Sequence, residues 1–105
     1  KKYNEAAMEY KYLLALSPNN VAAMSNRGLA LYNTQQYAEA LKLYDAIVRR
    51  DPKNAIAYNN RGVVLEAMNK KSDAILAYQQ AVTLKPDYSE AKANLDRLRG
   101  GLKTG

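Results

Sequence analysis

The chain has 105 residues, enough for one domain with a modest core, and it contains neither cysteine nor histidine. That composition excludes a disulfide framework, a zinc site of the usual kind, a thiol nucleophile and an imidazole base. The formal charge of +6 favours acidic partners in general, but the basic residues are dispersed from Lys11 to Arg99 as on a solvated surface.

In chain order, Lys1-Lys2-Tyr3 leads into a charged amphipathic stretch, Tyr3 to Leu16, rather than the apolar core of a signal peptide. Ser17-Pro18-Asn19-Asn20 ends it, because the residue before proline is pushed out of the α region. A first pair of helices is predicted at Val21 to Asn33 and Tyr37 to Arg50, separated by the polar break Thr34-Gln35-Gln36. A second pair is predicted at Ala55 to Met68 and Ser72 to Leu84, separated by Asn69-Lys70-Lys71. Leu41, Tyr44, Ile47 and Val48, and then Ile75, Tyr78, Ala81 and Val82, form i, i+3, i+6, i+7 stripes. Asp51-Pro52-Lys53-Asn54 and Lys85-Pro86-Asp87 close the pairs, and Asn20 and Asn54 are expected N-caps. Ser89 to Arg99 is a last helix, and residues 100–105 read as a flexible tail. No run approaches the roughly 20 apolar residues needed to span a bilayer. The missing cysteines suit a reducing, cytoplasmic setting.

These segments repeat. Pro18, Pro52 and Pro86 are each separated by 34 residues, and Asn26, Arg27, Gly28, Leu31, Ala40, Tyr44 and Val48 recur in the same register as Asn60, Arg61, Gly62, Leu65, Ala74, Tyr78 and Val82. Gly28 and Gly62 lie inside helices, where glycine costs about 1 kcal/mol relative to alanine. Close approach of a second helix explains the cost, with Ala40 and Ala74 as the expected facing residues. Residues 3–20 align with the second helix of a repeat whose first helix is missing, so the chain is expected to begin inside a longer array. Its uncovered Tyr3, Ala6, Tyr10, Leu13 and Leu14 are expected to drive self-association. At the other end Asp96 stands in the glycine register, opposing a further close helix, while Ala91, Leu95 and Leu98 keep one apolar face: a capping helix.

A 34-residue helix-turn-helix period with small residues at two crossing points and a closing proline resembles the tetratricopeptide repeat. The matching residues are Gly28, Leu31, Ala40, Tyr44 and Pro52, then Tyr58, Gly62, Leu65, Ala74, Tyr78 and Pro86. Met24 and Lys71 replace aromatic residues held elsewhere by Tyr58 and Tyr37, and Arg27 and Arg61 replace a common leucine, their stems still able to cover apolar surface. The resemblance covers residues 3–99: part of a repeat at 3–20, full repeats at 21–54 and 55–88, and a cap at 89–99. It implies an all-α solenoid of antiparallel helix pairs forming a right-handed superhelix, with first helices lining a concave groove for a peptide or partner protein.

The groove residues implied are Ser25, Asn26, Leu29, Tyr32 and Asn33, then Asn59, Asn60, Val63 and Glu66, with Ala22 and Ile56 beside them. Glu90, Ala93, Asn94 and Arg97 of the cap extend this set. Asn26, Asn60 and Asn94 repeat at 34, and an amide both donates and accepts, so such a ladder can bracket a peptide backbone. It resembles the asparagine ladder of O-linked N-acetylglucosamine transferases. The bland alternative is that each amide bonds to a neighbouring repeat or to water. A carboxylate clamp of the kind that holds chaperone C-termini is not expected, because Ile56 and Asn60 stand where its lysine and arginine belong. Tyrosines beside basic residues raise base stacking and a nucleic-acid-binding module as the alternative function, but most of them fall on the apolar stripes. Asp45, Glu66 and Asp73 each stand alone, so no catalytic constellation, metal site or cofactor site is expected.

Overall fold

Apolar residues at helical spacing produce five helices and no strand among the described residues. The computed structural model describes residues 21–103, with side-chain surroundings for 23–100. The helices are α1 (Val21–Asn33), α2 (Tyr37–Arg50), α3 (Ala55–Ala67), α4 (Lys71–Leu84) and α5 (Ser89–Lys103). The expected helix at 3–16, the cap at Asn20 and the self-association surface lie outside the described residues. The chain divides into two compact units, Lys1–Pro52 and Lys53–Gly105.

In the first unit α1 packs on α2. Met24, Leu31, Ala40, Tyr44 and Ile47 are fully buried, and Leu43 nearly so. The apolar stripe of α2 is therefore rotated from the expected one: Leu41 and Val48 are only half-buried, while Ala40 and Leu43 complete the contact. The helices join through a tight reversal. Gln35 takes a left-handed conformation at φ 64°, its N–H donating to the Tyr32 carbonyl (2.9 Å) and that of Gln36 to Leu31 (2.8 Å). This pair of bonds is a Schellman motif, which satisfies the carbonyls left over at a helix end.

The second unit repeats the device and adds a helix. Asn69 is left-handed at φ 65°, with Asn69 N–H donating to Glu66 (2.9 Å) and Lys70 N–H to Leu65 (2.9 Å). α4 packs against both α3 and α5. Asn54 caps α3 as expected, its side chain accepting from the Ala57 N–H at 3.0 Å. The core consists of Ala57, Val64, Leu65, Ala74, Ala77, Tyr78, Ala81 and Ala91, with Leu95 and Leu98 at 6% exposure. α5 continues through Gly100 to Lys103, past the expected end at Arg99, so residues 100–103 are helix rather than tail. Glycine's helical penalty of about 1 kcal/mol weakens a helix without terminating it.

Gly28 and Gly62 mark close crossings, but the nearest groups are not the expected alanines. A Cβ on Gly28 would meet the Tyr44 ring at 2.6 Å, and one on Gly62 would meet the Tyr78 ring at 2.6 Å. Each glycine thus makes room for a buried tyrosine of the partner helix, and the tyrosine then reaches a polar acceptor on that helix. Tyr44 Oη donates to the Ser25 carbonyl (3.2 Å) and Tyr78 Oη to Glu66 (2.9 Å).

Candidate peptide-binding face

The first helices of the second unit, α3 and α5, are joined by side chains. Asn59 is fully buried; its Nδ2 donates to Glu90 (3.2 Å) and its Oδ1 accepts from Asn94 Nδ2 (3.1 Å). Further along both helices, Arg97 donates to both carboxylate oxygens of Glu66, Nη2 at 2.9 Å, and Nη2 also lies 3.3 Å from Asn94 Oδ1. Tyr78 of α4 donates to the same Glu66 carboxylate at 2.9 Å. The bonded positions advance together along both helices, so α3 and α5 run parallel.

The charges respond to this geometry. Hydrogen bonding from Arg97 holds the Glu66 carboxyl below its ordinary range; burial opposes this, and Tyr78 reinforces it. Glu66 in turn raises Arg97. Burial, then the bond to Glu66, pushes the Tyr78 phenol up. Burial and the neighbouring Glu90 charge also raise Tyr88, whose phenol meets the Asn59 amide.

The expected site residues divide by environment. On α3, Asn60, Val63 and Glu66 are half-buried and Ile56 is 53% exposed. Asn59 was expected on a binding surface but is fully buried, and its amide links two helices. Asn94 is half-buried and uses its amide within the same network. On α1 of the first unit, Asn26 and Asn33 are exposed, Leu29 is 40% exposed, and Ser25 and Tyr32 are half-buried. Tyr32 and Tyr37 pack with centroids 5.6 Å apart and planes tilted by 53°. Two signals in the sequence point to the α3–α5 network: opposite charge at Glu66 and Arg97 on successive first helices, and the alternative that the Asn94 amide bonds a neighbouring repeat.

The family model described as tetratricopeptide repeat matches residues 1–55 and 26–89. The chain belongs to the tetratricopeptide repeat family. A comparison with curated protein sequences finds no match. Among solved structures, a structure described as the first tetratricopeptide repeat domain of Spaghetti (RPAP3), bound to the HSP90 peptide SRMEEVD, is similar with TM-score 0.81 and 26% identity over 97% of this chain and 81% of that one. The Arabidopsis OM64 tetratricopeptide repeat domain is similar with TM-score 0.78 and 27% identity, covering 95% of this chain and 83% of that one. MamA from Desulfovibrio magneticus is similar with TM-score 0.78 and 27% identity over 97% of this chain, which spans 58% of the MamA chain. No helix among the described residues of this repeat protein is long and apolar enough to cross a membrane.

Proposed function

We propose that this tetratricopeptide repeat chain is a non-catalytic interaction scaffold that takes a peptide or partner segment on the faces of its first helices. The observation that carries the reading is the mixed character of those faces. Large apolar side chains, Leu29 and Ile56, stand 40% and 53% exposed. Amides lie close by in sequence, Asn26 exposed and Asn60 half-buried. Apolar side chains of a partner gain by leaving water there, and amides satisfy backbone groups without reading sequence. The similarity to a repeat domain bound to a peptide supports the same reading. Because Asn94 already bonds to Asn59 and Arg97, backbone recognition falls on Asn26 and Asn60. The test is Asn26→Ala with Asn60→Ala in the full chain, against peptides selected from a random library. We expect affinity to fall about ten-fold, the scale of one or two neutral hydrogen bonds. Unchanged affinity in a folded double variant removes the amides from the mechanism.

A further inference from the structure

We propose that the α3–α5 face of the second unit selects a peptide carrying a basic side chain next to an apolar one, with Glu90 receiving the charge and Ile56 the apolar group. The inference rests on the peptide-binding reading above and adds the charge of the ligand to it.

The Arg97 side chain is 53% exposed, yet its guanidinium is clamped on both Glu66 oxygens and reaches Asn94 as well. Lys71 adds further attraction on Glu66. That end of the face is charge-balanced, and an acidic ligand there must displace an existing carboxylate from Arg97. At the other end stands Glu90, exposed, with its side chain held by a neutral donor, Asn59 Nδ2 at 3.2 Å. Asn59 is fully buried, so the carboxylate is fixed in place by an immobile amide. The negative field of Glu90 is felt by Tyr88, whose phenol it helps push up. The nearby cation, Lys85, sits over the Tyr88 ring at 5.5 Å and makes no ion pair to Glu90 among the described residues. Ile56 lies one helical turn before Asn59 on α3 and is 53% exposed. An exposed Ile56 one turn from the amide that holds Glu90, which has no ion pair among the described residues, is complementary to an aliphatic–basic pair. The peptide SRMEEVD in the similar Spaghetti complex is net acidic but also carries an adjacent Arg-Met pair.

The experiment is selection of a random heptapeptide phage library on the full chain, followed by fluorescence anisotropy with the enriched peptides. Glu90→Gln is the informative variant: its amide oxygen still accepts from Asn59, and circular dichroism checks the helices. We expect enriched sequences to pair Lys or Arg with Leu, Ile or Met, and to lose about two- to five-fold in affinity on Glu90→Gln, as for one exposed ion pair. Ile56→Ser should weaken the same peptides, and added salt should shrink only the Glu90-dependent part. Enrichment of acidic peptides, or basic ones indifferent to Glu90→Gln, overturns the charge inference and leaves peptide binding standing. No enrichment above an unrelated protein overturns the peptide-binding reading, and this inference with it.

Discussion

Gly62 is tightly constrained, because a methyl group on it would stand 2.6 Å from the Tyr78 ring. Alanine is the better helix former by about 1 kcal/mol, so propensity and packing oppose each other. Packing should win: Gly62→Ala is expected to destabilise by about 1–3 kcal/mol, as overpacking does, in urea denaturation. Gly100 is the control, since a Cβ there meets nothing within 4 Å, and Gly100→Ala should leave stability unchanged or raise it by up to about 1 kcal/mol. Equal midpoints for the two variants would show that the tyrosine ring yields freely. Glu66 makes a prediction in pH. Its folded-state carboxyl is held below the ordinary value of 4.5, so its contribution is present above that value and lost as pH falls through the lower folded one. With its side chain 30% exposed, the contribution is at most about 1 kcal/mol. Glu66→Gln should flatten the stability curve below pH 4.5 and leave its slope near neutrality unchanged. Periodicity exposed the glycines and tyrosines, but not their contact with one another. It also hid Asn59, because the network joins positions 35 and 31 residues apart, whereas a repeat comparison aligns positions 34 apart.

Helix placement was the most legible layer. α1 and α2 fall at the expected bounds, and α3 and α4 differ by one residue at Ala67 and Lys71. Proline stops and apolar spacing decide these limits locally, which is why sequence suffices. α5 ran past its expected end because two glycines look like a linker in isolation; the helix containing them is anchored through Ala91, Leu95 and Leu98. That anchoring is testable. Leu98 is 6% exposed, and Leu98→Ala should cost about 2 kcal/mol or more and reduce helical signal, as truncation of a core leucine does. Asn59→Ala should cost about 1–3 kcal/mol, because Glu90 and Asn94 both lose a buried partner. A loss confined to the last helix, seen by hydrogen exchange, would locate the effect at the α3–α5 seam.

For the molecule as a whole, the sequence specified an all-helical repeat because each period carries its own stops, crossing residues and apolar faces. The ligand-facing chemistry was less legible, since burial decides which amides remain available and burial is set between repeats. In the second unit α4 is packed on both sides, by α3 and by α5. In a stacked array stability is shared between neighbours, so the most protected amides belong to the element with two. Hydrogen exchange should therefore be slowest at Ala77, Tyr78 and Ala81. Equal or greater protection in α5 would contradict nearest-neighbour stacking.

The two inter-helix reversals have a practical corollary for anyone extending or hardening such an array. Both are closed by a residue at positive φ, and neither residue is glycine. Left-handed backbone burdens an ordinary side chain by about 1–2 kcal/mol, whereas asparagine tolerates it better. Gln35→Gly should accordingly raise the melting temperature more than Asn69→Gly. The same edit, copied once per period at exposed positions, would add up along a longer chain without touching the core.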